Sequence, residues 1–182
     1  MSDSNKIEGR SSRIECRSVL ILVVAVLALG FSSAAAAPDI QVALNVSKAS
    51  PRAVEPLTER SILRDYKFAW VNLSQALASS STDPLNGLFE GSARQWLSDA
   101  VTSERSSGLT TRYMNQSHSL EVVFYAPEGD VMELHDIAQF DLEILDGDKS
   151  VHTEHAVARY VVLMTPGADH WVIRQLQSVP EF

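Results

Sequence analysis

The sequence predicts an α+β domain carried behind an apolar leader, and three observations predict it. Apolar residues recur at steps of three and four between positions 59 and 101, which is the helical period. Beyond Gly108 they alternate singly along stretches rich in β-branched and aromatic residues, which is the pleated period. Turn signals at Ala126-Pro-Glu-Gly-Asp130, Asp146-Gly-Asp148 and Pro166-Gly167 cut that second half into hairpins. Helices first and antiparallel strands afterwards bury both apolar faces most simply as a helical layer on one face of a curved sheet. Two of the strands are long, so the sheet has to bend or bulge to stay over a small core.

The leader comes first in the chain. Residues 18–38 carry no charge, and Val19 to Phe31 is an unbroken run of apolar and glycine positions. Lys6, Arg10, Arg13 and Arg17 precede it, and Ser32-Ser-Ala-Ala-Ala-Ala-Pro38 follows. Basic, then apolar, then small is the order of a secretory signal, with cleavage after Ala36. The competing reading is a retained anchor over residues 18–37, close to the ~20 residues that cross hydrocarbon. Residues 1–37 are thus expected to be a signal peptide or signal-anchor, with the membrane a partner through residues 18–37 where the segment is kept. In both cases everything after Pro38 lies outside the cytoplasm: secreted, periplasmic or membrane-anchored.

Cys16 is the single cysteine and precedes the apolar run, so the exported part holds no thiol, no internal disulfide and no multi-cysteine zinc site. Residues 38–182 carry 11 basic and 20 acidic side chains, a charge of −9 in a chain of net −8. That balance gives no general attraction for phosphate backbones, and nucleic acid is not expected as a partner.

The elements follow in order. Residues 38–58, with prolines at 38, 51 and 56, read as a linker whose start, Ile40-Gln-Val-Ala-Leu44, suits a short strand. The domain proper runs over residues 59–182. Its first helix, 59–80, carries Ile62, Leu63, Tyr66, Ala69, Trp70, Leu73, Ala76 and Leu77 on one stripe. A helical turn at 84–89 follows, opened by Pro84. A last helix over 92–103 places Ala93, Trp96, Leu97, Ala100 and Val101 on its apolar face, with Ser92 as cap. Strands are expected at 109–115, 118–125, 131–145, 151–164 and 170–178.

This order, with the segment Tyr66-Lys-Phe-Ala-Trp70, the aromatic turn Leu88-Phe89, the helix around Trp96 and the ending His170-Trp-Val-Ile-Arg174, resembles the nuclear-transport-factor-two-like superfamily over residues 60–178. The resemblance implies a cone-shaped α+β fold with a cavity between sheet and helices. That fold hosts ketosteroid isomerases, scytalone dehydratases and polyketide cyclases beside many non-catalytic domains, so function has to be argued from the site. An exported version is similar to extracytoplasmic members such as Mce-associated and type IV secretion assembly proteins.

Along strand 131–145, Met132, Leu134, Asp136, Ala138, Phe140, Leu142 and Ile144 share a face, and only Asp136 is polar. Burial disfavours a charged carboxylate unless a donor compensates, which suits acid–base chemistry. The resemblance implies a proton shuttle for such an acid, with a tyrosine or protonated acid polarising the substrate oxygen. Tyr66, Tyr113, Tyr160 and His155 are the available partners. Asp136, Tyr66 and His155 form the candidate catalytic set, while Trp70, Trp96, Phe140 and Tyr160 are candidate pocket lining. His152-Thr-Glu154-His155, with His135 and Asp136, gathers metal-ligand residue types. On a strand, however, His152 and Glu154 face one way and His155 the other, so neither a metal nor another cofactor is expected. A Gly-x-Ser-x-Gly elbow and a glycine-rich phosphate loop are both absent from the sequence.

The expected function is a non-catalytic domain that binds a partner protein or a small apolar ligand in its cone. A homodimer through the outer sheet face, carrying Val123 and Tyr125 or Val161 and Leu163, or a membrane-protein companion, would be its partner. The alternative is a small-molecule isomerase, dehydratase or cyclase with Asp136 as general base.

Overall fold

A computed structural model describes residues 40–182. The signal-peptide or signal-anchor reading of residues 1–37 lies outside the described residues, as do the first two positions of the linker. Five strands, β1 (Gln41–Asn45), β2 (Leu109–Tyr125), β3 (Met132–Asp146), β4 (Lys149–Pro166) and β5 (Trp171–Val179), form one sheet in the order β1-β2-β3-β4-β5. Two helices, α1 (Pro56–Ser79) and α2 (Gly91–Ser107), pack on it, with a short 3-10 turn at Asp83–Leu85 between them. No helix among the described residues is long and apolar enough to cross a membrane.

The α+β class holds, and the sheet is mixed rather than wholly antiparallel. The part of the linker read as a possible strand is β1, which pairs parallel to β2 with Val42 opposite His118 and Leu44 opposite Leu120. Beyond it, Pro51 bridges to Tyr125, and the Arg52 guanidinium lies 5.0 Å from that ring's centre. Residues 40–55 are therefore a paired strand and strap against the sheet, fixed by a fully buried Ile40.

α1 begins at Pro56, three residues before the expected start, because a proline's missing N–H costs nothing in the first turn, where that donor has no helical partner. It ends at Ser80, a left-handed residue whose N–H reaches back to Ala76 and Leu77. Ile62, Tyr66, Ala69, Trp70, Leu73, Ala76 and Leu77 are buried, the expected stripe without its flanking Leu63. α2 starts one residue early at Gly91 and runs four residues past the expected end, closed by left-handed Gly108. Ser92 does not cap it; its hydroxyl donates to the Arg174 carbonyl on β5. The helix is seated on that strand by backbone bonds from Glu90 to Ile173 and from Ile173 to Leu88. Gly91 is required at this junction, since its φ is +56° and a Cβ would meet the Arg174 carbonyl at 3.1 Å.

Strands 109–115 and 118–125 are one strand. β2 bulges at Asn115 and Gln116, which together face one position of β3, and Asn115 takes a φ of +52°. Because side chains alternate, the bulge switches which residues point inward, from Thr111 and Tyr113 to Gln116, His118, Leu120 and Val122. A second bulge at Val122 to Phe124 switches the alternation back and buries Tyr125. These reversals let a long strand curve around the core.

Candidate functional site

Asp136 sits at the middle of the inner sheet face, opposite Leu120 on β2 and Tyr160 on β4, with no exposed surface. The Tyr66 hydroxyl, from α1, donates to its Oδ2 over 2.8 Å. His118 Nδ1, brought inward by the first bulge, lies 2.8 Å from the same oxygen. Two partners on one carboxylate oxygen supply the compensation that burial demands. Burial raises the Tyr66 hydroxyl pKa well above its usual value, the Asp136 charge and hydrogen bond add to this, and the Trp70 indole acts the other way. The phenol therefore stays protonated as a donor.

Aromatic rings close this centre. Trp70 packs on His118 with ring centres 4.3 Å apart, and Tyr160 meets Trp70 at 5.8 Å. Farther along, Tyr113 and Phe140 meet edge to face at 4.8 Å. Burial, helped by Glu104, pushes the Tyr113 hydroxyl up to about 12, and burial raises Tyr160 as well. Asp136 Oδ1, His118 Nε2 and Trp70 Nε1 have no hydrogen-bond partner among the described residues. The region thus holds unspent polar capacity among buried aromatic side chains.

The structure brings Asp136, Tyr66, Trp70 and Tyr160 together, with Phe140 on the same inner face. Two of the candidate residues stand elsewhere. His155 is on the outer face, where its Nδ1 lies 2.9 Å from Asp141 directly across the ladder, and Asp136 has the opposite parity on β3. Asp141 also accepts from Asn115, and these two contacts lower its pKa, Asn115 contributing most. Trp96 is 45% exposed: the buried face of α2 is Ala93, Leu97 and Val101, and Trp96 lies to one side of it. There it lines a surface cleft of about 420 Å³ with Ser92 and Leu176.

Sequence reasoning missed His118. Its signal was the alternation of His118, Leu120 and Val122, which marks an inner face once the bulge is known. The metal-ligand residue types scatter: His152 approaches Glu154, His135 approaches Glu133, and Asp136 serves His118. Among the described residues no three His, Cys, Asp or Glu side chains converge on one point. Of the residues named for the outer face, Val161 and Leu163 are there, half-buried, while Tyr125 belongs to the core.

A second polar cluster lies where α1 meets the turn before β5. Asp65, almost fully buried, accepts from the Trp171 N–H and from Arg64 Nε. His170 faces an acceptor with each ring nitrogen, Asp169 with Nδ1 and the Gly87 carbonyl with Nε2. Satisfying both needs two protons, which favours the imidazolium. Its pKa is raised, first by the Gly87 carbonyl and then by Asp169. This cluster borders a cleft of about 600 Å³.

No protein-family model and no curated protein sequence matches the chain. Among solved structures, the intermembrane space region of the chloroplast protein ARC6 aligns over 71% of this chain and 98% of its own, with a TM-score of 0.57 at 14% identity. A Mycobacterium tuberculosis protein of unknown function, Rv3472, aligns over 70% of this chain and 78% of its own, with a TM-score of 0.42 at 14% identity. The ARC6 likeness concerns the fold.

Proposed function

We propose that the chain is an exported, non-catalytic binding domain of the nuclear-transport-factor-two-like kind, which recognises a partner protein on its outer surface. One observation carries this reading: Asp136 has no exposed surface, with Tyr66 and His118 bonded to its Oδ2 and the rings of Trp70 and Tyr160 packed around them. A general base has to come within hydrogen-bond reach of the proton it removes. Here both partners of Asp136 Oδ2 are the protein's own, so the cluster acts as a polar clamp between α1 and the sheet. Concave surfaces open to solvent lie outside, beside α1, beside Trp96 and beside Phe182. The apolar leader, and the intermembrane-space setting of a protein with this fold, support a place outside the cytoplasm.

The test is crosslinking of the full chain in its native cell, repeated with Asp136→Asn after circular dichroism shows the variant folded. A discrete companion recovered equally by both proteins is the expected result. Turnover of an isomerase or dehydratase substrate that the folded variant loses by about a hundredfold or more overturns the proposal.

A further inference from the structure

The outward face of α1 differs from the rest of an acidic surface. Arg60, Arg64 and Lys67 follow one another at steps of four and three and so stand in a row along the helix. Three of the eleven basic residues of 38–182 thus fall within eight positions. Arg60 and Lys67 make no ion pair among the described residues, and Arg64 keeps a largely exposed guanidinium beside Asp65. Large apolar side chains accompany them, with Leu57 72% and Phe68 55% exposed. Phe68 and Val71 line one side of the 600 Å³ cleft, and Asp169 with the doubly bonded His170 line the other. Asp65 and Asp169 are the acids there, and each is engaged: Asp65 by Arg64 and Trp171, Asp169 by His170.

We infer that this cleft and the basic row beside it form the docking site for an acidic peptide segment of the partner protein, one that inserts a large apolar side chain against Phe68 and Val71 and sets carboxylates on Arg60, Arg64 and Lys67. The inference rests on the partner-binding reading above and gives it a location and a chemistry. Charge decides the partner's sign. Outside this row residues 38–182 hold 8 basic against 20 acidic side chains, so the net field draws an acidic segment toward the row and a basic one away from it. Concavity decides the partner's class. A cleft of 600 Å³ falls in the size range of ligand pockets, roughly 300–1,000 Å³, and suits a protruding side chain better than a flat bilayer. Exposed Phe68 at its edge provides the aromatic contact that anchors such complexes.

Selection of a random dodecapeptide display library against the full chain tests this directly. Enriched peptides are expected to carry net negative charge with at least one large apolar residue, and to bind more weakly as salt is added. Their affinity should fall by about tenfold or more in the double charge reversal Arg60→Glu/Lys67→Glu and in Phe68→Ser, all surface positions that leave the core intact. Enrichment of neutral or basic peptides, or affinities untouched by these variants, overturns the inference. So does the absence of enrichment together with sedimentation of the chain on vesicles containing anionic phospholipid. A photo-crosslinker placed at Phe68 and, separately, at Gln177 separates the two levels of failure. A companion captured only from Gln177 removes the α1 site and keeps the partner-binding reading, whereas capture from neither position removes both.

Discussion

Tyr66 and Asp136, seventy positions apart, are joined by a 2.8 Å hydrogen bond in which the phenol donates to a carboxylate with no exposed surface. The bond ties α1 to the middle of β3 at the level where His118 arrives from β2. Removing the hydroxyl with Tyr66→Phe leaves Asp136 with one donor and should cost about 1–3 kcal/mol, the usual penalty for an under-satisfied buried polar group. Asp136→Ala should cost more, about 2–6 kcal/mol, since it leaves both Tyr66 and His118 without their partner. Urea unfolding measures both. A cost near zero for either would mean the clamp does not hold the layers together.

Trp70 and Trp96 should separate sharply. Trp70, 2% exposed and packed on His118 and Tyr160, should cost about 3–5 kcal/mol when cut to alanine. Trp96 contacts solvent over nearly half its surface, and Trp96→Ala should cost less than about 1 kcal/mol. Denaturation midpoints of the two variants decide the matter.

That contrast shows where sequence reading succeeds. Strong, long periodicities such as the stripe of α1 and the apolar face of β3 fix which residues are inside, so Tyr66, Trp70 and Asp136 could be found from spacing alone. On α2 the seam against the sheet is narrow, Ala93, Leu97 and Val101 alone among the five apolar positions being buried. His118 reaches the site through a bulge in β2, whereas His155 stands outside because the ladder from Tyr160 to His155 is regular and five steps reverse the face. Nothing in Asn115-Gln-Ser117 announces that two residues will face one position of β3. Cross-strand partners such as Asp141 for His155 are set by register, which emerges only when the hairpins close.

Asn115 holds the first bulge in a left-handed conformation and donates to Asp141 over 2.6 Å. Glycine reaches that conformation freely, whereas a β-branched residue pays the steric penalty of about 1–2 kcal/mol. Asn115→Gly should therefore be tolerated better than Asn115→Val in thermal unfolding. Equal effects would indicate that the backbone at the bulge carries no constraint.

His170 supplies a pH dependence whose sign follows from its contacts. Its raised pKa means that folding favours the imidazolium, bonded to the Gly87 carbonyl and Asp169, with Asp65 adding attraction and Arg64 held by Asp65 nearby. A group with a raised folded pKa contributes its full stability below the unfolded value, near 6.5, and loses it as pH climbs through the folded value. The bond from the turn before β5 to the loop after the 3-10 turn should accordingly weaken as pH rises above that unfolded value. His170→Gln keeps a donor but cannot titrate. Urea midpoints of wild type and His170→Gln, measured from pH 5 to pH 9, should differ most in acid and converge in base. The other histidines are common to both proteins and cancel in the difference. A gap that stays constant over the range, or widens with rising pH, would show that His170 is not held as the cation.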